Sequence, residues 1–134
     1  MTSPIVDHMM ANDAFSRWLG IDVLDAQPGY CRLQMRVSSS MSNGFKVAHG
    51  GIAYSLADSA LAFAANAHGE KAMSIDCSMS YLKAINEGDT IEAIAEEQHR
   101  SKRLGRYQVR LISNGKAVGL FHGTVMFLGE MWDL

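Results

Sequence analysis

Residues Gly51 to Ala67 read GIAYSLADSALAFAANA. Alanine and leucine, both strong helix formers, dominate the segment. Apolar residues fall on nearly every side of it, which predicts a helix buried within the protein rather than lying on its surface. At 1.5 Å per residue such a helix is about 25 Å long, close to the width of a whole small domain. In a chain of 134 residues the remainder has to wrap this rod. His68-Gly69 closes the segment. The length fits a single domain spanning residues 1–134, and a domain of this size buries about two-thirds of its unfolded surface.

The rest of the chain supplies the wrapping. With 48% apolar and 19% charged residues it has the composition of a folded domain, not of a disordered chain. Pro4 to Leu19 is predicted helical, with Met9, Met10, Phe15, Trp18 and Leu19 roughly on one side and Gly20 at the C-terminal cap. Ile21 to Ala26 is a short strand, followed by a Pro28-Gly29 turn. In Tyr30 to Val37, Cys31, Leu33, Met35 and Val37 alternate with Arg32, Gln34 and Arg36, the pattern of a half-buried antiparallel strand. Ser38 to Lys46 is a loop with Asn43-Gly44 as a tight turn. Beyond the helix only strands are expected. Ala72 to Leu82 sets Met73, Ile75, Cys77, Met79 and Tyr81 against Ser74, Asp76, Ser78 and Ser80. Thr90 to His99, Leu104 to Ile112 and Lys116 to Leu128 follow. The connections at Gly88-Asp89, Arg100 to Arg103 and Asn114-Gly115 read as hairpins, Asn-Gly being the strongest short hairpin signal. Gly119 and Gly123 mark bulges or close approaches. The class is α+β, a curved antiparallel sheet around one apolar helix.

Charge and motifs narrow the function. Twelve Lys and Arg against 14 Asp and Glu give a net charge of −2, which lacks the basic footprint of a DNA-binding domain. No run of about 18 apolar residues is free of charge, so no membrane span is expected. The start, MTSPIVDHMMANDAF, has no basic segment followed by an apolar run, as a secretory signal would. Two cysteines, Cys31 and Cys77, are too few for a disulfide scaffold, and both fall in the inward phase of their strands. A cytoplasmic protein is the simple expectation. None of the five histidines has paired metal-ligand spacing, so neither a metal nor a separate cofactor is expected. No nucleophile elbow, Walker loop or dinucleotide fingerprint is present.

One carboxylate is out of place. Asp58 is the only charged residue within Gly51 to Ala67. It lies on a stripe with Ser55, Ser59, Ala62 and Asn66 at helical spacing. A buried carboxylate must find partners or hold its proton more tightly. It is therefore either a structural group bonded to its neighbours or a candidate general base or nucleophile. Just before the helix stand Asn43-Gly44 and His49-Gly50-Gly51. The first N–H groups of a helix have no intrahelical partner and sit at the positive end of its dipole. Glycines there let a ligand approach the backbone, which makes a ready anion or oxyanion site. They also serve where a tight loop simply needs glycine. Asp58 lies about 10–12 Å further along the axis. One helix cannot easily bring both groups to one carbonyl, whereas a second chain could.

The string N-G-x4-H-G-G-x4-L-A-D, with NDAFSRWLGID near the start, resembles the signature of hotdog-fold acyl-CoA thioesterases, most closely the phenylacetic-acid-degradation (PaaI-type) group. The similarity runs from about Asn12 to Leu128. It implies a hotdog fold whose sheets join edge to edge in a homodimer, commonly paired into a homotetramer, with the active site at the dimer interface. It implies that Asp58 is nucleophile or general base, that the Gly50 N–H polarises the thioester carbonyl, and that His49 and Asn43 orient substrate or water. Ser74 matches a serine that assists water in some relatives. The substrate would be an acyl- or aryl-CoA, with coenzyme A part of the substrate and not a cofactor.

Arg100, Lys102, Arg103 and Arg106 crowd seven positions. They are either a solvated hairpin tip or, with Gly51, a set of contacts to the coenzyme A phosphates. Two other classes fit the same fold. A non-catalytic acyl-CoA or lipid-binding module would bind without releasing thiol, and a hydratase or dehydratase would add water to an enoyl-CoA. The latter usually needs a catalytic histidine on the helix, and none occurs before His68.

Overall fold

The computed structural model describes residues 2–134. Ten elements follow in chain order: α1 (Pro4–Asn12), α2 (Ala14–Leu19), β1 (Asp22–Gln27), β2 (Tyr30–Arg36), a 3-10 turn (Ser39–Met41), α3 (Gly50–Asn66), β3 (Glu70–Tyr81), β4 (Thr90–Arg100), β5 (Leu104–Ser113) and β6 (Lys116–Met131). The six strands form one antiparallel sheet in the order β1-β2-β4-β5-β6-β3. The sheet curves around α3, whose Leu56, Ala57, Ala60, Leu61, Phe63 and Ala64 are completely buried. Small residues on the facing strand, Ala93 and Ala95 of β4, let the helix close onto the sheet, while Tyr107, Val109 and Phe121 fill the flanks. Burying one such Leu or Phe side chain is worth about 1.5–3 kcal/mol, so this helix anchors the core.

The predicted N-terminal helix is two helices. Asp13 ends α1 and starts α2: its backbone leaves the helical region at φ −93°, ψ 88°, and its carboxylate caps α2 by accepting from the Ser16 N–H at 2.9 Å. An N-cap aspartate competes well with helix continuation. The break also splits the expected apolar face. Val6 and Leu19 are buried, but Phe15 and Trp18 face solvent. Gly20 caps α2 at φ 74°, as its position predicted.

β2 alternates as read, with Cys31, Leu33 and Met35 buried. Asn114 and Gly115 take φ 53° and 72° in the β5–β6 hairpin, the pair of positive values that such a two-residue turn needs. The Gly88-Asp89 connection is not a hairpin. β3 pairs with β6, and β4 pairs with β2 and β5. The segment between β3 and β4 crosses the start of α3: Ala48 N–H donates to Ile85 O at 2.7 Å, and Gly88 N–H to Val37 O at 2.8 Å. β3 is therefore an edge strand.

The expected alternation along β3 breaks in the middle. Ser74 pairs with Val125 and Asp76 with Thr124, which leaves Ile75 as an extra residue. This bulge reverses the phase of the strand. Ala72 and Ser74 face α3 before it, and Cys77 and Met79 after it. Met73 and Ile75, expected inside, are 63% and 54% exposed.

Candidate active site

The bulge at Ile75 gives the site its geometry. In unbroken alternation Ser74 would share the outward face with Asp76 and Ser78. Instead its hydroxyl turns to α3, close enough to the Asp58 carboxyl to favour the charged form. Burial works harder in the other direction and, helped by the nearby charge of Asp13, holds the Asp58 pKa above the ordinary aspartate range. A carboxylate that is partly desolvated, has a hydroxyl beside it and, among the described residues, forms no ion pair keeps its basicity.

The other members of the stripe are satisfied within the chain. Ser55 Oγ donates to Gly51 O at 2.7 Å, and Ser59 Oγ shares a 2.8 Å bond with Ser16 Oγ on α2. Asn66, 2% exposed, clamps the end of α3: its Nδ2 donates to Ala62 O and Ala72 O, and its Oδ1 accepts from the Ala72 N–H and Trp132 Nε1. Asp58 instead turns to the Ser74 hydroxyl on the edge strand.

Two further groups beside Asp58 carry no motif. Tyr54, one turn earlier on α3, packs edge-on against Phe121 with ring centroids 5.2 Å apart. The Cys77 thiol lies between Tyr54, Ser74 and Asp58; burial and the Asp58 charge push its pKa up, which makes it a poor nucleophile. Burial raises Tyr54 as well, so both stay neutral donors. Tyr54 stands four residues before Asp58 in the sequence, a spacing that puts both on one side of a helix. Cys77 faces α3 as the alternation of β3 predicted, whereas Ser74 reaches the same place only through the bulge.

The second group gathers at the start of α3. His49 is the N-cap, and its Nδ1 accepts from the Gly51 N–H at 2.9 Å. That bond occupies the Gly51 donor, so Gly51 offers no free N–H to a phosphate. Among the described residues the Gly50 N–H meets no protein acceptor, as expected of a first-turn donor. Tyr81 covers Gly50 from β3. Its hydroxyl donates to Gly50 O at 3.0 Å, and its ring would lie 3.2 Å from a Cβ at position 50. Only glycine leaves that approach undisturbed. Asn43 shapes the loop before the helix, its Oδ1 accepting from the Phe45 N–H at 2.8 Å and the Val47 N–H at 3.4 Å. A cleft of about 330 Å³ opens here, lined by His49, Gly50, Tyr81 and Lys83 among others.

The basic cluster forms a third group, beyond the opposite end of α3. Arg100 lies over the Phe127 ring at 4.2 Å and 3.9 Å from Glu70. Arg106 Nη1 donates to Thr124 Oγ1 at 2.8 Å. Lys102 and Arg103 border a cleft of about 500 Å³ with Met126, Leu128 and Met131. The chain thus brings Asp58 to Ser74 and His49 to Gly50, and keeps the Asn43 side chain within the loop before α3, but holds Asp58 and Gly50 about 12 Å apart along one helix. No group of three His, Cys, Asp or Glu side chains among the described residues is placed to hold a metal, and none of their helices is long and apolar enough to cross a membrane.

Residues 45–120 match the thioesterase superfamily. The chain is 37% identical to the acyl-coenzyme A thioesterase PaaI of Escherichia coli over 122 residues, covering 90% of this chain and 87% of that protein. The structure of the E. coli PaaI protein from the phenylacetic acid degradation operon superposes with a TM-score of 0.93 at 34% identity, covering 95% of this chain and 93% of that one. A mutant of the phenylacetic acid degradation protein PaaI from Thermus thermophilus superposes with a TM-score of 0.83 at 39% identity, covering 85% of this chain and 98% of that one. The α+β hotdog architecture expected from the motif is the one observed.

Proposed function

The chain belongs to the thioesterase superfamily and is a thioester hydrolase, and we propose that it cleaves acyl-coenzyme A thioesters with Asp58 as nucleophile or general base. The observation that carries this reading is the solitary Asp58 carboxylate, made more basic by burial and set beside Ser74 on the inner side of an open sheet edge.

As general base, Asp58 takes a proton from water held by the Ser74 hydroxyl, and the oxygen attacks the thioester carbonyl carbon. Negative charge develops on the carbonyl oxygen, where the Gly50 N–H and the positive end of α3 stabilise it; one such donor is worth about 2.7–4 kcal/mol in barrier. The intermediate then expels the thiolate, which takes up the proton, leaving acid and free coenzyme A. If Asp58 attacks directly, an anhydride forms first and water cleaves it. A single turnover in oxygen-18 water that leaves label in the Asp58 carboxyl establishes the second route, in which water opens the anhydride at the Asp58 carbon, because general-base attack labels only the product acid. His49, with Nδ1 occupied, presents Nε2, and Asn43 its Nδ2, to orient substrate or water.

Asp58 and Gly50 of one chain are too far apart for this, and the sheet edges support a remedy. β1 is short, bulged near Leu24 and carries Asp22 and Asp25, features that discourage pairing. β3 is twelve residues long and exposes Met73, Ile75 and Tyr81. Two copies joined along β3 by a two-fold axis run their α3 helices in opposite directions. Asp58 of one protomer then approaches the Gly50 end of its partner, and the basic turn at the far end of α3 comes to the same region. Arg100, Lys102, Arg103 and Arg106 are thereby available to the coenzyme A phosphates. We assign the enzyme to the cytoplasm, as a homodimer that pairs into a homotetramer.

The test is thiol release from a panel of aryl- and alkyl-CoA substrates. Asp58→Asn should reduce turnover by at least about a hundredfold, while light scattering shows the oligomer unchanged. Undiminished turnover in that variant, or a wild-type monomer with full activity, would overturn the assignment.

A further inference from the structure

Helix α2 carries a feature that the chemistry above does not use. Phe15 and Trp18 lie one turn apart on it, 52% and 62% exposed. Their rings stack, with centroids 6.0 Å apart and planes inclined by 25°. The helix does not need them for docking, because Leu19 and Ser16 are already buried beneath it. It is fixed at both ends, by the Asp13 carboxylate and by the left-handed Gly20. A contiguous pair of large exposed rings marks a contact surface, whereas scattered exposed apolar residues do not.

The position of the pair says which contact. Ser16, next to Phe15, bonds to Ser59, and Ser59 follows Asp58. Asp13, the cap of the same helix, is close enough for its charge to disfavour the Asp58 carboxylate. So α2 rests on the turn of α3 that holds Asp58. The acyl group of a thioester begins at the carbonyl that Asp58 addresses. Of the neighbours on that stripe, Ser55, Ser59 and Asn66 are spent on internal hydrogen bonds. The exposed apolar surface of the helix seated on that turn is the aromatic pair.

We propose that Phe15 and Trp18 form one wall of the acyl pocket and set a preference for bulky apolar acyl groups over acetyl. The proposal rests on Asp58 being the group that meets the thioester. Aromatic side chains suit the task, since each offers a broad rigid face with only two torsions to fix.

The test compares kcat/KM for hexanoyl-CoA and acetyl-CoA in wild type, Phe15→Ala and Trp18→Ala. A single methylene in an apolar pocket commonly discriminates by about 10–200-fold. Loss of a ring should therefore cut the hexanoyl-to-acetyl ratio of kcat/KM by about tenfold or more, with oligomer mass unchanged. An unchanged ratio overturns the proposal. A parallel loss on both substrates with a fall in oligomer mass also overturns it, and assigns the pair to a subunit contact. A second measurement does not depend on turnover. Trp132→Phe leaves Trp18 as the sole indole, the chain having two tryptophans. Titration with the non-hydrolysable thioether S-hexyl-CoA should shift Trp18 emission to the blue, and coenzyme A alone should not. Absence of that shift overturns the proposal. If wild type releases no thiol from any acyl-CoA yet Trp18 responds, the role of Asp58 fails and the aromatic wall stands.

Discussion

Gly123 on β6 sits where the sheet, the helix and the edge strand meet, and Gly123→Ala tests whether that close packing holds the site together. It pairs with Tyr107 on one side and Cys77 on the other. A Cβ there would lie 2.7 Å from Leu61 Cδ2, 3.2 Å from Phe121 Cε1 and 3.3 Å from Cys77 Sγ. Leu61 and Phe121 are completely buried, so neither has solvent to move into. Overpacking a well-filled core costs about 1–3 kcal/mol, and replacing a mid-strand glycine by alanine returns about 0.5–1 kcal/mol of backbone entropy. The net loss is about 1–2 kcal/mol. With an unfolding entropy of about 2.1 cal/mol/K per residue, or about 0.28 kcal/mol/K for this chain, Tm should fall by about 4–7 °C. Calorimetry at one fixed protein concentration measures it, since oligomer stability depends on concentration. Gly119→Ala is the control: the nearest atom to its Cβ is the free end of Met79, at 2.8 Å, and a flexible thioether can swing aside. Leu61 also follows Asp58 by one turn of α3, so a displaced helix moves the carboxylate from Ser74 and thiol release should fall more than the loss of stability explains. A Tm for Gly123→Ala equal to or above wild type would show that the close approach constrains nothing.

Three other substitutions and one thiol probe test separate parts of the structure. Burial raises the Asp58 pKa, so the folded state holds that proton more tightly than the unfolded state does; the resulting stability is present below the unfolded pKa and is lost as pH rises through the folded one. Asp58→Asn should therefore gain on wild type in urea midpoint between about pH 3 and about pH 7, and a constant difference refutes the placement. Because Ser74 favours the charged form, Ser74→Ala should move the acid limb of the kcat/KM profile to higher pH, and an unmoved limb separates the two side chains. Asn66→Ala strips four hydrogen bonds from the end of α3 and leaves the Trp132 indole unpartnered, for a loss of about 2–3 kcal/mol by urea unfolding. The Cys31 thiol is completely buried and its pKa is pushed up to about 12, so Ellman's reagent should leave Cys31 unmodified until the protein unfolds, as peptide mapping can show.

Much of this was legible in the sequence because local and global signals agreed. The run Gly51 to Ala67 could be little other than a buried helix, and Asp58 stood out as its one charge. Alternation in β2 and the Asn114-Gly115 turn depend on a few adjacent residues, and both appeared as read. What escaped depends on partners distant in sequence. Nothing in Gly88-Asp89 says that β3 crosses the sheet to pair with β6. The end of α1 at Asp13 is a contest between two caps and a continuous apolar face, and propensity alone does not decide it.

The bulge at Ile75 is the instructive failure, because the alternation it breaks was regular. Period-2 patterning reports which residues share a face only while every residue is paired. One unpaired residue moves Ser74 from the outer face to the carboxylate and exposes Met73 and Ile75 along the edge. The same insertion that brings a hydroxyl to Asp58 thus roughens the edge with apolar side chains that a partner strand could cover. Site and interface are then two results of one backbone irregularity. Deleting Ile75 should restore regular pairing and turn Ser74 outward. Turnover and self-association should then fall together, where substitutions at Asp58 separate them.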